Sequence, residues 1–150
     1  MPAIYSKDWY EAMVAFANGQ KNFAKKMPGG EWRFAVELNG DGQSPYVPEG
    51  TTKHFFIRFI DGKVEECRET EGPIPGKQLN YRITGPANVF EGIAAGIVDP
   101  VEAGLGGALA IRGDMRVLMQ NADMANVIFE IYKQTSLTEW PKGKPPYQGR

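Results

Sequence analysis

Apolar residues at helical spacing predict a helix at each end of the chain. Near the amino terminus, Ser6 can cap a helix, and apolar residues follow it at spacings of three and four, which predicts a helix over residues 6–17. A shorter helical piece follows before Pro28. Near the carboxyl terminus, a broad apolar stripe predicts one continuous helix from residue 115 to residue 132 or 133. A helix with so broad an apolar stripe must pack against other parts of the protein on more than one side.

Alternating apolar and polar residues predict strands between these helices. Residues 31–38 alternate in this way, and residues 79–84 and 108–112 have the same strand-like pattern. The stretch 53–70 predicts a hairpin, because the Asp-Gly pair at 61–62 suits a two-residue type I′ turn. Such a turn sets the cross-strand pairs. The predicted pairs are Ile60 with Lys63, Phe59 with Val64, Arg58 with Glu65, Phe56 with Cys67 and His54 with Glu69.

Two shorter helices are predicted between the last two strands. Residues 86–95 carry apolar side chains on one side and end at a glycine. Asp99, Pro100 and Glu102 then form a helix start, with a capping residue, a proline at the first helical position and a glutamate three residues after the cap. The order of helices and strands predicts an α+β fold.

Length and charge limit the classes of protein that fit. A chain of 150 residues suits one domain, which we expect over 1–133 with a helical part at 1–31, followed by an extension at 134–150 that is mobile or hugs the surface. Seventeen basic and eighteen acidic residues give no overall charge for binding nucleic acid. We found no segment apolar enough to cross a bilayer and no export signal, and a single cysteine, Cys67, is typical of a reducing cytoplasm.

The candidate chemistry is sparse. Two glycine clusters, at 104–113 and 72–78, fail the spacing or position that a phosphate loop requires. One histidine and one cysteine cannot form a usual structural zinc site, so we expect no metal, no cofactor and no catalytic residue. The predicted hairpin register does place His54 and Cys67 diagonally on one face, which leaves a thiol enzyme as an alternative.

Apolar side chains provide the remaining signal. Three methionines within ten residues of the last helix suit a surface that adapts to varied apolar ligands, although a solid core is the commoner use of such a stripe. The residues that we predict to line a ligand site are Phe34, Phe90, Ile93, Met115, Leu118, Met119 and Phe129. A second alternative is an interaction or dimerisation module whose apolar groove is filled by a partner or by a second copy.

Two stretches of the sequence resemble a known family. "FFIRFIDGKVEECRE" and "YRITGPANVFEGIAAGIVDPVEAGLGGALAIRGDM" are similar to the sterol carrier protein type 2, or non-specific lipid-transfer, family. The residues that match the family's pattern in order are Gly96, Asp99, Pro100, Gly107, Leu109, Ile111, Gly113 and Asp114. The resemblance covers about residues 32–133, and the helical start resembles prokaryotic stand-alone members. Ala108 and Ala110 stand where relatives often carry lysine.

The resemblance implies a fold and a function. The implied fold is a five-stranded, mainly antiparallel sheet covered on one face by helices, with an apolar tunnel between the layers. The implied function is binding, with transfer as a further role, of fatty acids, acyl-CoA, sterols or similar lipids without covalent chemistry. Transient membrane contact is compatible with this function, and so is either a monomer or a homodimer.

Overall fold

The computed structural model describes residues 2–133 and 138–147. The helices are α1 (Lys7–Gly19), α2 (Lys21–Lys26), α3 (Ala87–Ala94), α4 (Pro100–Leu105), α5 (Met115–Gln120) and α6 (Ala122–Lys133). The strands are β1 (Glu31–Asn39), β2 (Thr52–Ile60), β3 (Lys63–Thr70), β4 (Tyr81–Pro86) and β5 (Ala110–Gly113). One 3-10 turn, Gly76–Gln78, precedes β4.

The five strands form one mixed sheet in the order β3-β2-β1-β4-β5. Only the central pair, β1 with β4, is parallel among the described strand pairs, and the other three pairs are antiparallel. The α+β class and the mainly antiparallel five-stranded sheet are therefore confirmed.

Helices cover one face of the sheet and enclose the core. Helix α1 packs along β3, α3 lies against β1 and β4, and α6 contacts the other long helices and α5. The predicted helix starts are confirmed, since Ser6, Asp99 and Asp114 each accept a hydrogen bond from a backbone N–H of the helix that follows. These caps fix where α1, α4 and α5 begin.

The hairpin register departs from the prediction after its first two pairs. Ile60 pairs with Lys63 and Phe59 with Val64 as predicted, but a bulge then shifts the partner strand by one residue. At the bulge, the side-chain amide of Asn18 donates to the carbonyl of Val64 and accepts from its N–H. The end of α1 thus satisfies backbone groups on the outer edge of β3.

Because of this bulge, the predicted partners of Arg58, Phe56 and His54 are wrong. Their partners are Glu66, Arg68 and Thr70 in place of Glu65, Cys67 and Glu69. The predicted register was wrong because a two-residue turn fixes only the pairs nearest to it, and a single extra residue moves every later pair.

The long carboxyl-terminal helix is interrupted. Asn121 leaves helical geometry with φ −128° and ψ 57°, which separates α5 from α6. Its side-chain amide and its backbone N–H both donate to the carbonyl of Val117, each at 3.0 Å, at the end of α5. The predicted continuous helix over 115–132 is therefore wrong at this point, and its apolar stripe is divided between the two helices α5 and α6.

The described part of the carboxyl-terminal extension, residues 138–147, packs against the amino terminus. Residue Glu139 exchanges backbone hydrogen bonds with Pro2 and Ile4, and the indole N–H of Trp9 donates to the Thr138 hydroxyl at 2.8 Å. Further along, the Tyr46 hydroxyl donates to the carbonyl of Gly143 at 2.7 Å. Both ends of the domain are therefore joined beside α1.

Candidate functional site

Five of the seven predicted ligand-lining residues lie inside the protein. They belong to one continuous apolar core between the sheet and the helices, and none is more than 9% exposed. The five are Phe34 on β1, Phe90 and Ile93 on α3, Leu118 on α5 and Phe129 on α6. In this core Phe34 stacks on Tyr81 at 5.5 Å between ring centroids, and Phe90 lies 6.0 Å from the ring of Tyr132. The apolar tunnel itself stays a prediction.

The other two predicted residues lie outside this core. Met115 is 44% exposed and Met119 is 78% exposed, because the short helix α5 turns them towards solvent while Leu118 points inward. Helix α5 thus has one residue in the core and two methionines at the surface beside it. In this structure these methionines border the interior layer without being enclosed by it.

Every exposed large apolar side chain in the described residues lies in one part of the chain, residues 97–119. We call this set the apolar edge, and it consists of Ile97, Val101, Leu105, Met115 and Met119. Ile97, Val101 and Leu105 are spaced four residues apart, the first before α4 and the other two within it. The two methionines on α5 are also four residues apart. Between the two helices lies β5, the outermost strand of the sheet on this side. The apolar edge therefore includes residues that precede and residues that follow this strand in the sequence.

Helix α3 carries a buried carboxylate, that of Glu91. Glu91 has no exposed surface, and three hydroxyl groups donate to it. Tyr5 and Ser44 donate to Oε2 at 2.6 and 2.8 Å, and Tyr147 donates to Oε1 at 2.5 Å. We call these four residues the hydroxyl cluster. It joins the amino terminus, the loop after β1 and the carboxyl-terminal segment to α3.

The charge of Glu91 is disfavoured by its surroundings. Burial raises the pKa of this carboxyl above its ordinary value, and the three hydroxyl donors offset only part of that effect. All three of these donors are neutral groups, so no basic side chain among them compensates the carboxylate. Each donor satisfies a lone pair that burial would otherwise leave without a partner.

The proposed thiol pair is not assembled. Because of the bulge, Cys67 lies opposite Ile57 on the helix-covered face, whereas His54 lies on the other face. There the His54 Nδ1 is 3.4 Å from a carboxylate oxygen of Glu37. Burial also raises the pKa of the Cys67 thiol to about 12, although this residue borders a cleft of about 440 Å³ beside α1. A protonated thiol on the wrong face cannot serve as a histidine-activated nucleophile.

Sequence reasoning missed the hydroxyl cluster. One signal was present, since Glu91 is the only charged residue between Arg82 and Asp99 and stands in a helix whose only other polar side chain is that of Asn88. No comparable signal marks Tyr5, Ser44 or Tyr147, because their partner is distant in sequence. Tyr5 does have an unusual backbone, with φ 66°, in a region that large side chains seldom adopt.

The described residues contain no group of three or more His, Cys, Asp or Glu side chains that could hold a metal ion. None of the helices within these ranges is long and apolar enough to cross a membrane.

Solved structures with the same fold support the arrangement. A conserved hypothetical protein of Thermus thermophilus, named as a candidate sterol carrier protein, is 15% identical with a TM-score of 0.69, and the match covers 94% of each chain. A crystal structure of sterol carrier protein 2 is 14% identical with a TM-score of 0.71, covering 87% of this chain and 98% of the other. The apo form of sterol carrier protein 2 from Yarrowia lipolytica is also 14% identical, with a TM-score of 0.51 and coverage of 84% and 88%. At these identities the likeness concerns the fold.

The family is established by the sequence match. No curated protein gives a significant match to the chain. The model of the SCP-2 sterol transfer family matches residues 6–126, which is most of the chain and includes the sheet, α3, α4 and α5. The chain belongs to the SCP-2 sterol transfer family.

Proposed function

We propose that the protein binds an apolar ligand, of the class of fatty acids, acyl-CoA, sterols or similar lipids, between the sheet and the helices. Membership of a sterol transfer family supports lipid binding in general. The observation that carries the proposal is the apolar layer in which Phe34, Phe90, Ile93, Leu118 and Phe129 lie together. An acyl chain or ring system placed in such a layer is removed from water without the loss of a polar contact.

The short helix α5 is the proposed entrance. It is bounded by the Asp114 cap at one end and by the break at Asn121 at the other, so it can shift without unwinding α6. Its inner side chain, Leu118, would be replaced by ligand, and Met115 and Met119 would fold over the ligand from outside. Methionine suits this task because its unbranched side chain adapts to varied shapes.

The proposed role involves binding and transfer without covalent chemistry. The displaced His54 and the protonated Cys67 thiol support a carrier over a thiol enzyme. We also propose a cytoplasmic location, which the single cysteine and the charged surface support. A dimerisation module stays as the second candidate, because the apolar edge would suit a second copy.

Native mass spectrometry of freshly purified protein tests the proposal. We expect a bound species of lipid mass that is lost on denaturation and identified after organic extraction. A protein that stays free of ligand after incubation with fatty acids, acyl-CoA and sterols would contradict it.

A variant pair tests the entrance. Met119→Glu places a charge where the ligand would be covered, and should weaken binding of a fluorescent fatty acid by roughly tenfold or more, since burial of one large apolar side chain is worth about that factor. Ala15→Glu is the matched control, because it adds the same charge at an exposed position of α1. Equal affinity of the two variants would mean that α5 does not border the ligand.

A further inference from the structure

The face of the sheet away from the helices carries most of the arginines of this protein. Five of the seven arginines in the sequence lie on this face, one on each strand. They are Arg33, Arg58, Arg68, Arg82 and Arg112. The strand register places Arg33 opposite Arg58 and Arg82 opposite Arg112. Like charges in opposite positions destabilise a sheet, so the fold alone does not favour this concentration.

Three of these arginines, Arg33, Arg58 and Arg68, surround a cavity of about 220 Å³. We call it the arginine cavity, and it lies between the strands β1, β2 and β3 and the loop at 71–80, which contributes Ile74 to its wall. Phe56 forms its floor, is only 6% exposed, and lies 5.6 Å from the Arg68 guanidinium. Clefts that hold drug-sized molecules measure about 300–1,000 Å³, so the arginine cavity suits a smaller ligand.

The loop wall of the arginine cavity is fixed to the sheet. In the middle of the loop, the carbonyl of Ile74 accepts a hydrogen bond from the Arg82 guanidinium. At the end of the loop, the backbone N–H of Arg33 donates to the side-chain oxygen of Asn80 at 2.7 Å. The backbone N–H of Asn80 donates in return to the carbonyl of Arg33 at 2.9 Å. A wall held in this way reduces the entropy that a ligand would lose by ordering it.

The ion pairs around the arginine cavity leave an excess of one positive charge. Among the described residues, the three arginines pair with the carboxylates of Glu31 and Glu66, and each carboxylate binds two of them at 3.0–3.3 Å. The pKa of the Glu31 carboxyl is lowered chiefly by the hydrogen bond from Arg33. The pKa of the Glu66 carboxyl is lowered chiefly by the hydrogen bond from Arg68. Both carboxylates are therefore ionised at neutral pH, and two negative charges face three positive charges.

Hydrogen-bond donors remain available for an added anion. Arg33 and Arg68 bind their carboxylates through Nε, and their Nη groups donate to no atom of the described residues. A guanidinium has five N–H donors in a planar fork that matches the two oxygens of a carboxylate. Gln78 adds a side-chain amide to the lining. The arginine cavity thus combines an unbalanced charge, unused donors and an apolar floor.

We propose that the arginine cavity binds a small organic carboxylate whose apolar part lies against Phe56 and Ile74. A carboxylate carries the single negative charge that the excess requires, whereas a phosphate monoester carries about two. A nucleic-acid base does not fit this role, because Phe56 is too deeply buried to offer its ring for stacking. The proposal does not depend on the proposed lipid function, since the apolar layer lies on the opposite face of the sheet.

Titration of the full-length protein with benzoate, followed by NMR chemical shifts, tests the proposal. We expect saturable binding, with shifts at the backbone of Phe56, Ile74 and Gln78. Benzamide has the same shape without the charge and should bind roughly tenfold more weakly or less still, since hydrogen bonds to a charged group are worth about that factor. Acetate should also bind more weakly than benzoate, because it has no ring to contact Phe56 and Ile74.

Arginine variants show where benzoate binds. Arg68→Gln removes unused donors and should weaken benzoate binding by roughly tenfold or more. Arg116→Gln is the matched control, because Arg116 is an exposed arginine on α5 and not on the sheet, and it should bind benzoate as the unmodified protein does. Circular dichroism checks that Arg68→Gln is folded, as expected for a side chain that is 58% exposed. Arg33→Gln, also in the cavity lining, should weaken benzoate binding in the same way and provides a second variant.

Three results would overturn the proposal. They are no saturable binding of benzoate, equal affinities for benzoate and benzamide, and equal losses in Arg68→Gln and Arg116→Gln. Tighter binding of phenyl phosphate than of benzoate would contradict the choice of a carboxylate. Tighter binding of a single-stranded oligonucleotide, lost in Arg68→Gln, would assign the arginines to nucleic acid.

Failure of this proposal and failure of the proposed function give different results. Benzoate and a fluorescent fatty acid are each titrated into Arg68→Gln and Met119→Glu. We expect Arg68→Gln to lose benzoate binding alone and Met119→Glu to lose fatty-acid binding alone. Displacement of the fatty acid by benzoate in the unmodified protein would mean that benzoate enters the apolar layer, and would contradict binding in the arginine cavity.

Discussion

The hydroxyl cluster and the apolar edge place polar and apolar groups in opposite environments. Glu91, a charged residue, is completely buried, whereas Leu105, an apolar residue, is 85% exposed. Each arrangement is unfavourable for an isolated side chain. The Glu91 carboxylate is compensated within the protein by its three hydroxyl donors. No described residue covers the apolar edge in the same way.

This difference separates a structural feature from an interaction surface. A buried charge that is fully hydrogen-bonded has its partners already, so its effect is on stability. An exposed apolar set lacks its partner in the protein, so its effect should appear when a ligand, a lipid or a second copy is added. Substitutions at the hydroxyl cluster should therefore cost more stability than substitutions at the apolar edge.

Glu91→Ala should have the largest effect. It removes the acceptor of three hydroxyl groups and leaves them inside the protein, which should lower the free energy of unfolding by roughly 3 kcal/mol or more. Glu91→Gln keeps two polar atoms at the site and should cost less. Urea denaturation measures both, and Glu71→Ala, at an exposed loop position, should stay within about 0.5 kcal/mol. A loss below about 1 kcal/mol in Glu91→Ala would mean that water replaces the carboxylate.

Alanine substitutions of two neighbouring residues on α5 should show the next largest difference in stability. Leu118→Ala removes a side chain that is 8% exposed and should cost about 2 kcal/mol or more, while Met119→Ala changes a residue that is 78% exposed and should stay within about 0.5 kcal/mol. Thermal or urea unfolding of the ligand-free protein measures this contrast. Equal losses in the two variants would show that Met119 is covered in solution.

The same neighbours show what could be predicted from sequence. Both belong to the apolar stripe of residues 115–132, and periodicity assigns both to the interior. The break at Asn121 ends α5 before α6 begins, so the stripe is divided between two helices, and nothing in the periodicity marks where the first of them ends. The caps at Asp99 and Asp114 and the Asp-Gly turn were predictable because each depends on residues only a few positions apart.

The remaining prediction errors concern residues whose contact partners are distant in the sequence. The bulge in the hairpin is fixed partly by Asn18, which bonds to Val64 from another element. The partners of Glu91 lie between 47 and 86 residues away in sequence. No local pattern records such pairs, so sequence reasoning identified the fold and five residues of the apolar core but neither the bulge nor the hydroxyl cluster.

The pH dependence of stability should report on Glu91. Its pKa in the folded protein is raised, chiefly by burial, so its contribution to stability is fully present below the ordinary glutamate pKa of about 4.3. That contribution is lost as the pH rises through the higher pKa of the folded state. The free energy of unfolding of the unmodified protein, minus that of Glu91→Gln, should therefore decrease as the pH rises from about 4. A difference that increases over this range would mean that the carboxylate is stabilised by its hydroxyl donors more than burial disfavours it.

The smallest expected effects on stability come from replacing two glycines, one on α4 with the apolar edge and one on α3 with Glu91. Gly104 lies in α4, is exposed, and a Cβ added there would meet no atom within 4 Å. Gly104→Ala should therefore raise the free energy of unfolding by about 0.5–1 kcal/mol, because alanine restricts the unfolded chain and favours the helix. Gly92→Ala, in α3 next to Glu91, is the matched control with the opposite sign, since its Cβ would lie 2.4 Å from Cγ2 of Val98.

Gly104→Ala also separates stability from function. The variant should stabilise the protein and leave binding of a fluorescent fatty acid unchanged, because Gly104 is exposed and lies in α4, outside the proposed entrance at α5. Urea denaturation and fatty-acid binding, measured on the same preparation, report the two properties separately. Weaker binding by the more stable variant would mean that α4 takes part in ligand entry.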